Sequence, residues 1–461
     1  MAERRPALLV AVFVALALWL FRPIWNIDIF WHVVVGRLIL EGGVPTQDVL
    51  SAAHPEAPWR TFQWGYEVLV AALDGLGGLR LVQGLHVLVM AGAALGYFEI
   101  LRRRGPRWAA FTGLAVLLLL FEDRVRVRPH VFELAYVIAL LPLLLEWVRG
   151  RGAWLGAVLL ALVWANTHAV SAAWWVALVG AWALSAPRER ARWGVLLAGF
   201  LGMVAVPQAR LGALHALASH GTWPSELVPE LANTWTYLGE GWWGVVVIFG
   251  VGAGLLCGLG LARDSELPLG LRIAALGCAV ASLLMVRWVW FAALPVGLWL
   301  SQAQQAPRFF RGLTALAVVA LVGRGGLRWS PSERLQLLDP GAFPVAACDW
   351  LLERDLRLPA DLSPRWSGYY LYRLSPGATV LGDGRLVMQP DVVELLLARG
   401  QGDVSTFDAA VARYHTLVLL WPSAQEPPLD PSRWRSVYRD PVAEIWLPSP
   451  AWPLLEGVSA P

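Results

Sequence analysis

The sequence predicts an all-α polytopic membrane domain of about eleven transmembrane helices, followed by a small α/β domain outside the membrane. Three observations carry that prediction. The chain is 57% hydrophobic and only 15% charged, where a soluble protein keeps roughly a quarter of its residues charged. Apolar runs recur from residue 7 to about residue 327, after which the composition turns polar and rich in Pro, Asp and Arg. Arginines flank short connections in an alternating way that orients the runs. The expected domains are therefore 1–328 in the membrane and 329–461 outside it, with an outer loop over 23–78.

The charge balance narrows the partners. All 37 basic residues are arginine, for a net charge of +3. Such a bias reflects a GC-rich genome rather than a nucleic-acid site, and no nucleic-acid partner is expected. The three cysteines, Cys257, Cys278 and Cys348, are too far apart for metal spacing or a disulfide framework. The opening "MAERRPALLVAVFVALALWLF" has the charged start and apolar run of a signal peptide. It lacks a small-residue cleavage site and further spans follow, so it reads as a retained first helix.

Taken in order, Arg4 and Arg5 place the N-terminus in the cytoplasm, and the first span (7–22) exits. The outer loop holds two short amphipathic or re-entrant pieces, near 28–41 and 64–76, and the span at 80–101 returns to "RRRGPR". Spans at 108–121, 130–148, 153–168, 170–186, 193–207, 242–262, 269–286, 288–302 and 311–327 then alternate sides. Several are shorter than the ~20 residues that cross a bilayer. The count puts the N-terminus inside and the last domain outside, as in a bacterial inner membrane protein.

This parity brings the unusual polar residues to one face. Asp28, His32, Asp48, Glu67, "DRVRVRPH" (123–130), "WANTH" (164–168) and Arg287 all fall on the outer side. Short outer loops normally avoid positive charge, so the triplet Arg124, Arg126 and Arg128 calls for a local anion. Pro129 biases Arg128 toward extended backbone, which would put the three side chains on one face.

Asp28 and His32 are i,i+4 neighbours if 28–40 is helical, with Arg37 roughly opposite. Asp28 has three roles open to it: accepting a proton from an acceptor hydroxyl, holding a divalent cation, or pairing with an outer arginine. A carboxylate and an arginine cluster on one lipid-facing side are what transfer from a lipid phosphate needs, one as base and the other to stabilise the leaving phosphate. Arg287, beside Trp288 and Trp290, either snorkels to the interface or joins that phosphate site. Asn166 and His168 read first as a helix cap or a tie to a neighbouring helix. Glu133 reads as a partner of Arg126 or Arg128. The 27 tryptophans form a membrane-interface belt.

The stretch "NIDIFWHVVVGRLILEGGVPTQDVLSAAHPEAPWRTFQWGYEVLV" resembles the first outer loop of bacterial polytopic proteins related to the GT-C superfamily of polyprenyl-phosphate-sugar glycosyltransferases. In that group an Asp-x-Asp-x-Trp-Trp-His pattern leads to Gly-Arg, a Pro, an Asp-x-x-Ser and a Glu-Trp-Leu. "RVRPH", "WANTH", "VRWVWFAALP" and the late "WSGYYLYRLSPGATVLGDGRLV" are similar to its later segments. The resemblance implies an inverting transfer from a polyprenyl-phosphate-sugar lipid to a glycan, lipid or protein acceptor among membrane lipids. It implies Asp28 as the first-loop catalytic acid with His32 beside it, Asp48 and Glu67 as acidic partners, and Arg124, Arg126, Arg128 and Arg287 as phosphate ligands. Two departures stand out: Asn26 occupies the first acidic position of the pattern, and Gln63 stands where the group has Glu. The loss of two carboxylates argues against a divalent-cation site and keeps a second reading open, a non-catalytic lipid or polysaccharide binding or assembly protein on the same scaffold. A transporter fits less well, because no internal repeat or paired broken helices mark a midplane site.

In the outer domain, helices are expected near 343–355, 389–398 and 405–413, with β-type runs at "ATVLG", "HTLVLL" and "AEIWL". "GDGR" (382–385) reads as a tight turn with Asp383 capping backbone amides. The alternative gives Asp383 and Arg385 a supporting role in binding acceptor or donor. Cys348 is expected to be buried or unpaired.

Overall fold

The protein is described by a computed structural model covering residues 4–59, 61, 63–208, 210–211, 214, 233–263, 265–303, 308–323, 329–339, 341–383, 385, 389–425, 427 and 429–455. The expected domain boundary at 328 lies outside the described residues, as do 304–307 in the connection "QAQQAPRFFRG" and residue 264 in "ARDSELP". The chain divides into two compact units, Met1–Arg22 with Thr61–Gln63 and Gln83–Arg334, and Pro23–Arg60 with Trp64–Val82 and Leu335–Pro461.

The first unit is helical. It contains α1 (Arg4–Leu20), then, after α2 (Asp28–Gly42) of the second unit, most of α3 (Trp64–Arg104). There follow α4 (Arg107–Phe121), α5 (His130–Leu144), α6 (Arg151–Thr167), α7 (Ala173–Leu184), α8 (Arg190–Ala205), α9 (Gly241–Arg263), α10 (Leu269–Leu284), α11 (Ala293–Leu300) and α12 (Arg308–Leu321). Most of them, α4, α7, α9 and α11 above all, are nearly unbroken apolar runs with no single preferred face, whereas α3 carries charged residues along its length and α12 is amphipathic. α6 packs on α8, α10 on α7 and α9, and α4 on α11 and α12. Small residues make these contacts close. A Cβ on Gly270 of α10 would stand 2.1 Å from the Ala181 carbonyl oxygen of α7, the close backbone approach that small residues permit between apolar helices.

Among the described residues, α3 and α9 are by length and composition long and apolar enough to cross a membrane, and six further apolar helices are shorter. α3 is not one straight rod. Gly77 (φ −156°) and Gly78 (φ 66°) interrupt its helical backbone between the two pieces the sequence separates, 64–76 and 80–101. The expected helix over 288–302 differs more: residues Val286–Ala292 form a 3-10 helix, and only Ala293–Leu300 is α-helical. Trp288, Trp290 and Phe291 lie in this tighter stretch, where Trp290 stacks on Phe291 with ring centroids 4.1 Å apart.

The second unit is α/β. Its four-stranded sheet has the order β1-β2-β4-β3, from β1 (Ala360–Leu362), β2 (Val418–Pro422), β3 (Trp434–Arg439) and β4 (Ala443–Pro448). β1 and β2 are parallel, in the register Ala360 to Val418; the other pairs are antiparallel. Its later helices are α13 (Val345–Glu353), α14 (Pro364–Leu374), α15 (Pro390–Gly400) and α16 (Ser405–Tyr414). "ATVLG" forms no ladder strand. Val380 instead makes single bridges to Ser51 and to Ala360, so the first loop joins the β1 edge through one residue. Ala52 donates to the Val380 carbonyl at 2.8 Å and Val380 to that of Leu50 at 3.0 Å. α2 packs on α14, with Phe30 edge-on to Phe343 and Tyr369 at 4.8 and 5.0 Å. A second cluster gathers Leu381, Val392, Leu395, Ala410 and Tyr414.

Candidate functional site

Asp28 is the first residue of α2, where the helix N-terminus favours a carboxylate. His32 follows one turn later, and both are buried. The Trp31 indole Nε1 donates to Asp28 Oδ1 at 3.4 Å, and the Trp31 ring lies against that of His32, centroids 3.6 Å apart. His32 Nδ1 faces Glu67 Oε1 of α3 at 3.6 Å, both side chains being only 2% exposed. Tyr66 closes the other edge of the imidazole. Gly36 explains how Glu67 comes so near: a Cβ there would lie 2.0 Å from the Glu67 carbonyl oxygen and 2.6 Å from Ala71 Cβ. Only a residue without a side chain lets α2 and α3 approach at this level. Asn26, just before the helix, is buried as well. On another side of α2, Arg37 pairs with Asp74 at 2.6 Å and stacks over Tyr372.

Of the two expected acidic partners of Asp28, Glu67 faces His32 and Asp48 is engaged by an arginine of the later segment. Asp48 meets Arg385, whose Nη1 and Nη2 donate to its two oxygens at 2.9 and 3.0 Å. The same guanidinium donates from Nε to Asp383 Oδ2 at 2.7 Å, and the Arg385 backbone amide donates to Asp383 Oδ1 at 2.8 Å. All three residues are buried. Burial opposes the Arg385 charge, yet Asp383 and Asp48 outweigh it and raise its pKa above the usual arginine value. Asp48, Asp383 and Arg385 thus form a closed ion triad between the first loop and the segment that carries Asp383 and Arg385.

In the first unit, Arg124 closes a 3-10 turn (Glu122–Arg124) after α4. The arginine segment is not extended. Val125 (φ −71°, ψ 77°) is the centre of an inverse γ-turn in which the Arg126 amide donates to the Arg124 carbonyl at 2.8 Å, and Arg128 donates to Arg126 at 3.0 Å. Arg124 is buried while Arg126 and Arg128 are half-buried, so the three do not share one environment. Pro129 begins the next helix as its N-cap, and the short link from α4 to α5 is taken up in tight turns.

Glu133 of α5 organises its surroundings differently from the sequence expectation. Its electrostatic neighbours are Arg287 and Arg124, and His168 Nδ1 lies 4.0 Å from its carboxylate. Three of the expected site residues, Arg124, Arg287 and His168, therefore gather around one acid that the sequence assigns to Arg126 or Arg128. His168 ends α6 and its Nδ1 contacts Ser171 Oγ at 2.5 Å; Asn166 Nδ2 donates to the Leu162 carbonyl at 2.7 Å. Sequence reasoning misses Tyr237, whose hydroxyl donates to Asp123 at 2.8 Å, and the pairing of Arg22 with Glu122. The signal for the latter is the Glu-Asp directly ahead of the arginines. Among the described residues, no group of three or more His, Cys, Asp or Glu side chains is placed to hold a metal ion.

No protein-family model and no curated protein matches the chain. Among solved structures, it superposes on the single-particle cryo-EM structure of arabinofuranosyltransferase AftD from Mycobacteria with a TM-score of 0.58 and 16% identity. The match covers 96% of this chain and 40% of that one. The chain has a GT-C-like fold. This chain spans less than half the length of AftD, so the likeness is one of fold over part of that protein. On the GT-C-like scaffold the first-loop carboxylate Asp28 sits with His32 and Glu67 in one unit, while the arginines and Glu133 are grouped in the other. A buried carboxylate beside an oriented imidazole can take a proton, and clustered guanidinium groups can hold a phosphate.

Proposed function

We propose that this chain is a membrane glycosyltransferase that moves a sugar from a polyprenyl-phosphate donor to a glycan, lipid or protein acceptor on the extracytoplasmic face. The observation that carries the reading is the GT-C-like fold over 96% of the chain, with an acid at the head of α2 buried beside His32 and Glu67. In this reading about eleven helices span a bacterial inner membrane, with the N-terminus cytoplasmic and residues 329–461 outside. Asp28 takes the proton of the acceptor hydroxyl as its oxygen attacks the anomeric carbon. The bond from that carbon to the phosphate oxygen breaks with inversion, and the phosphate leaves with the electron pair. Arg124, Arg126, Arg128 and Arg287 stabilise the departing phosphate. No step requires a metal.

The substitution of amides at Asn26 and Gln63 favours one alternative, a lipid or polysaccharide binding or assembly protein on the same scaffold. Native mass spectrometry of protein purified gently from its own membranes separates the two. The transferase reading expects a retained polyprenyl phosphate in the wild type, with the sugar-loaded form enriched in Asp28→Asn and turnover reduced by about 100-fold or more. Bulk phospholipid alone in both proteins would remove the catalytic role of Asp28.

A further inference from the structure

We propose that Glu133 is a specificity-determining residue for the donor's sugar: its Oε1 pairs with a ring hydroxyl of a neutral pentose or hexose whose C–H face lies on the indoles of Trp174 and Trp288. This rests on the reading of the chain as a transferase that uses a polyprenyl-phosphate sugar. The groups involved all belong to the helical unit, and their contacts close a circle. His168 Nδ1 lies 4.0 Å from the Glu133 carboxylate and 2.5 Å from Ser171 Oγ. The Trp174 amide donates to the Ser171 carbonyl at 2.9 Å. The Trp174 ring stands edge-to-face with that of Trp288, centroids 5.5 Å apart and planes at 89°. Trp288 follows Arg287, whose charge acts on Glu133. The start of α5, the turn from α6 into α7 and the 3-10 helix thus bring one acid and two indoles into one neighbourhood.

The acid is held in place but left incomplete. Tyr136, one turn along α5, donates to Thr167 Oγ1 at 2.9 Å, which fixes the register of Glu133 against His168 at the end of α6. Trp164 Nε1 donates to Ser171 Oγ at 2.7 Å and so holds the hydroxyl that His168 meets. Glu133 is 5% exposed, yet its Oε1 has no hydrogen-bond partner among the described residues. A buried carboxyl oxygen in that condition is destabilising until a ligand or a water supplies the bond. A phosphate oxygen brings no hydrogen and repeats the charge. A sugar hydroxyl both donates and accepts, and suits the carboxyl in either protonation state. The indoles meet the other side of a sugar. Both are half-buried, and Trp174 is backed by Phe291 at 4.3 Å, on which Trp290 stacks in turn. Rigid aromatic walls with a few convergent polar groups are the usual make-up of a small-molecule site, whereas an interface belt of tryptophans needs neither the backing ring nor the neighbouring acid.

The test is equilibrium binding to the full chain in lipid nanodiscs of undecaprenyl phosphate and of its glucosyl, galactosyl, mannosyl and xylosyl esters, with a thermal midpoint for each protein. Wild type is expected to hold at least one sugar-loaded lipid about tenfold or more tightly than the bare one. Glu133→Leu and Trp288→Leu should each bring that preference below about threefold while binding the bare lipid within about threefold of wild type, a split that loss of a merely structural contact does not give. Glu133→Gln, which keeps an oxygen for the hydroxyl, should retain the preference to within about threefold and serves if Glu133→Leu fails to fold; Trp174→Leu stands in for Trp288→Leu in the same way. Trp242→Leu, at a 59% exposed indole outside this circle of contacts, should change neither affinity. The inference is overturned if Glu133→Leu or Trp288→Leu weakens bare and loaded lipids alike or leaves the preference intact, if Glu133→Gln loses the preference as Glu133→Leu does, or if Trp242→Leu lowers it as much as Trp288→Leu. If wild type binds neither bare nor loaded lipid, the polyprenyl-phosphate reading falls and takes this inference with it; if it binds them equally, only the inference fails.

Discussion

His54 shows how a single side chain in the first loop carries a condition on pH. Its Nε2 lies 3.0 Å from both oxygens of Asp391 at the start of α15, and its Nδ1 lies 3.2 Å from Glu56. Tyr414 and Arg413 of α16 also donate to Asp391, at 2.8 and 3.0 Å. Burial pulls the His54 pKa down, but the hydrogen bonds to Asp391 and Glu56 outweigh it and leave the imidazole above its ordinary value. Burial likewise pushes Asp391 up, and Tyr414 and His54 reverse it, holding the carboxylate below its usual range. A raised histidine stabilises the fold fully below its unfolded pKa of about 6.5 and ceases to do so as pH rises through the raised value. A lowered aspartate contributes above about 3.9 and stops as pH falls through the lowered value. The second unit should therefore be most stable between those limits and soften on the alkaline side. Thermal melting from pH 5 to 9 should show the alkaline loss in the wild type, and His54→Gln should flatten it. A loss of the same size in His54→Gln would assign the effect to other groups.

Among the elements, α3 carries the sharpest backbone prediction. Gly78 has φ 66° and ψ −174° and a Cβ there would meet nothing within 4 Å, so any cost of substitution is conformational rather than steric. Gly78→Ala is expected to destabilise by about 1–3 kcal/mol, read as a lower melting temperature, and Gly84→Ala, also uncrowded but inside regular helix, should be neutral or slightly stabilising. Equal effects of the two would mean the break is not strained. The double glycine is also why the sequence reveals this region well: it ends one periodic run and starts another. Helix positions throughout the first unit are legible for the same reason, since long apolar runs end at Gly, Pro or Arg. Other features are not legible. β3 has the burial order buried, exposed, exposed, buried because a bulge between Ser436 and Tyr438 breaks the period of two. Helix α14 is missing from the sequence expectation, although Ser363, whose side chain accepts from the Arg365 amide, caps its start ahead of Pro364. At the site, proximity along the helix reveals Asp28 with His32, whereas the Asp48–Arg385 pair joins residues far apart in sequence and leaves no local trace.

At the scale of the whole molecule, the α/β unit is discontinuous. Phe30 packs on Phe343 and Tyr369, Asp48 closes on Arg385, and Ser51 bridges Val380, so the sheet-bearing segment lacks part of its core without the first loop. Residues 335–461 expressed alone should fail to give a cooperative melting transition, and a chain joining 23–82 to 335–461 through a flexible linker should recover one. A cooperative transition from 335–461 by itself would show that the loop is an accessory. The same interleaving has a consequence in time. During synthesis Phe30 and Asp48 emerge about 310–340 residues ahead of Phe343 and Arg385, with which they pair, which at ~5–20 residues per second is a wait of about 16–67 s. For that interval Asp48 has no Arg385 and Phe30 no aromatic neighbours, so the nascent loop is the part of this chain most in need of a holding factor, and a slowed ribosome lengthens its exposure in direct proportion.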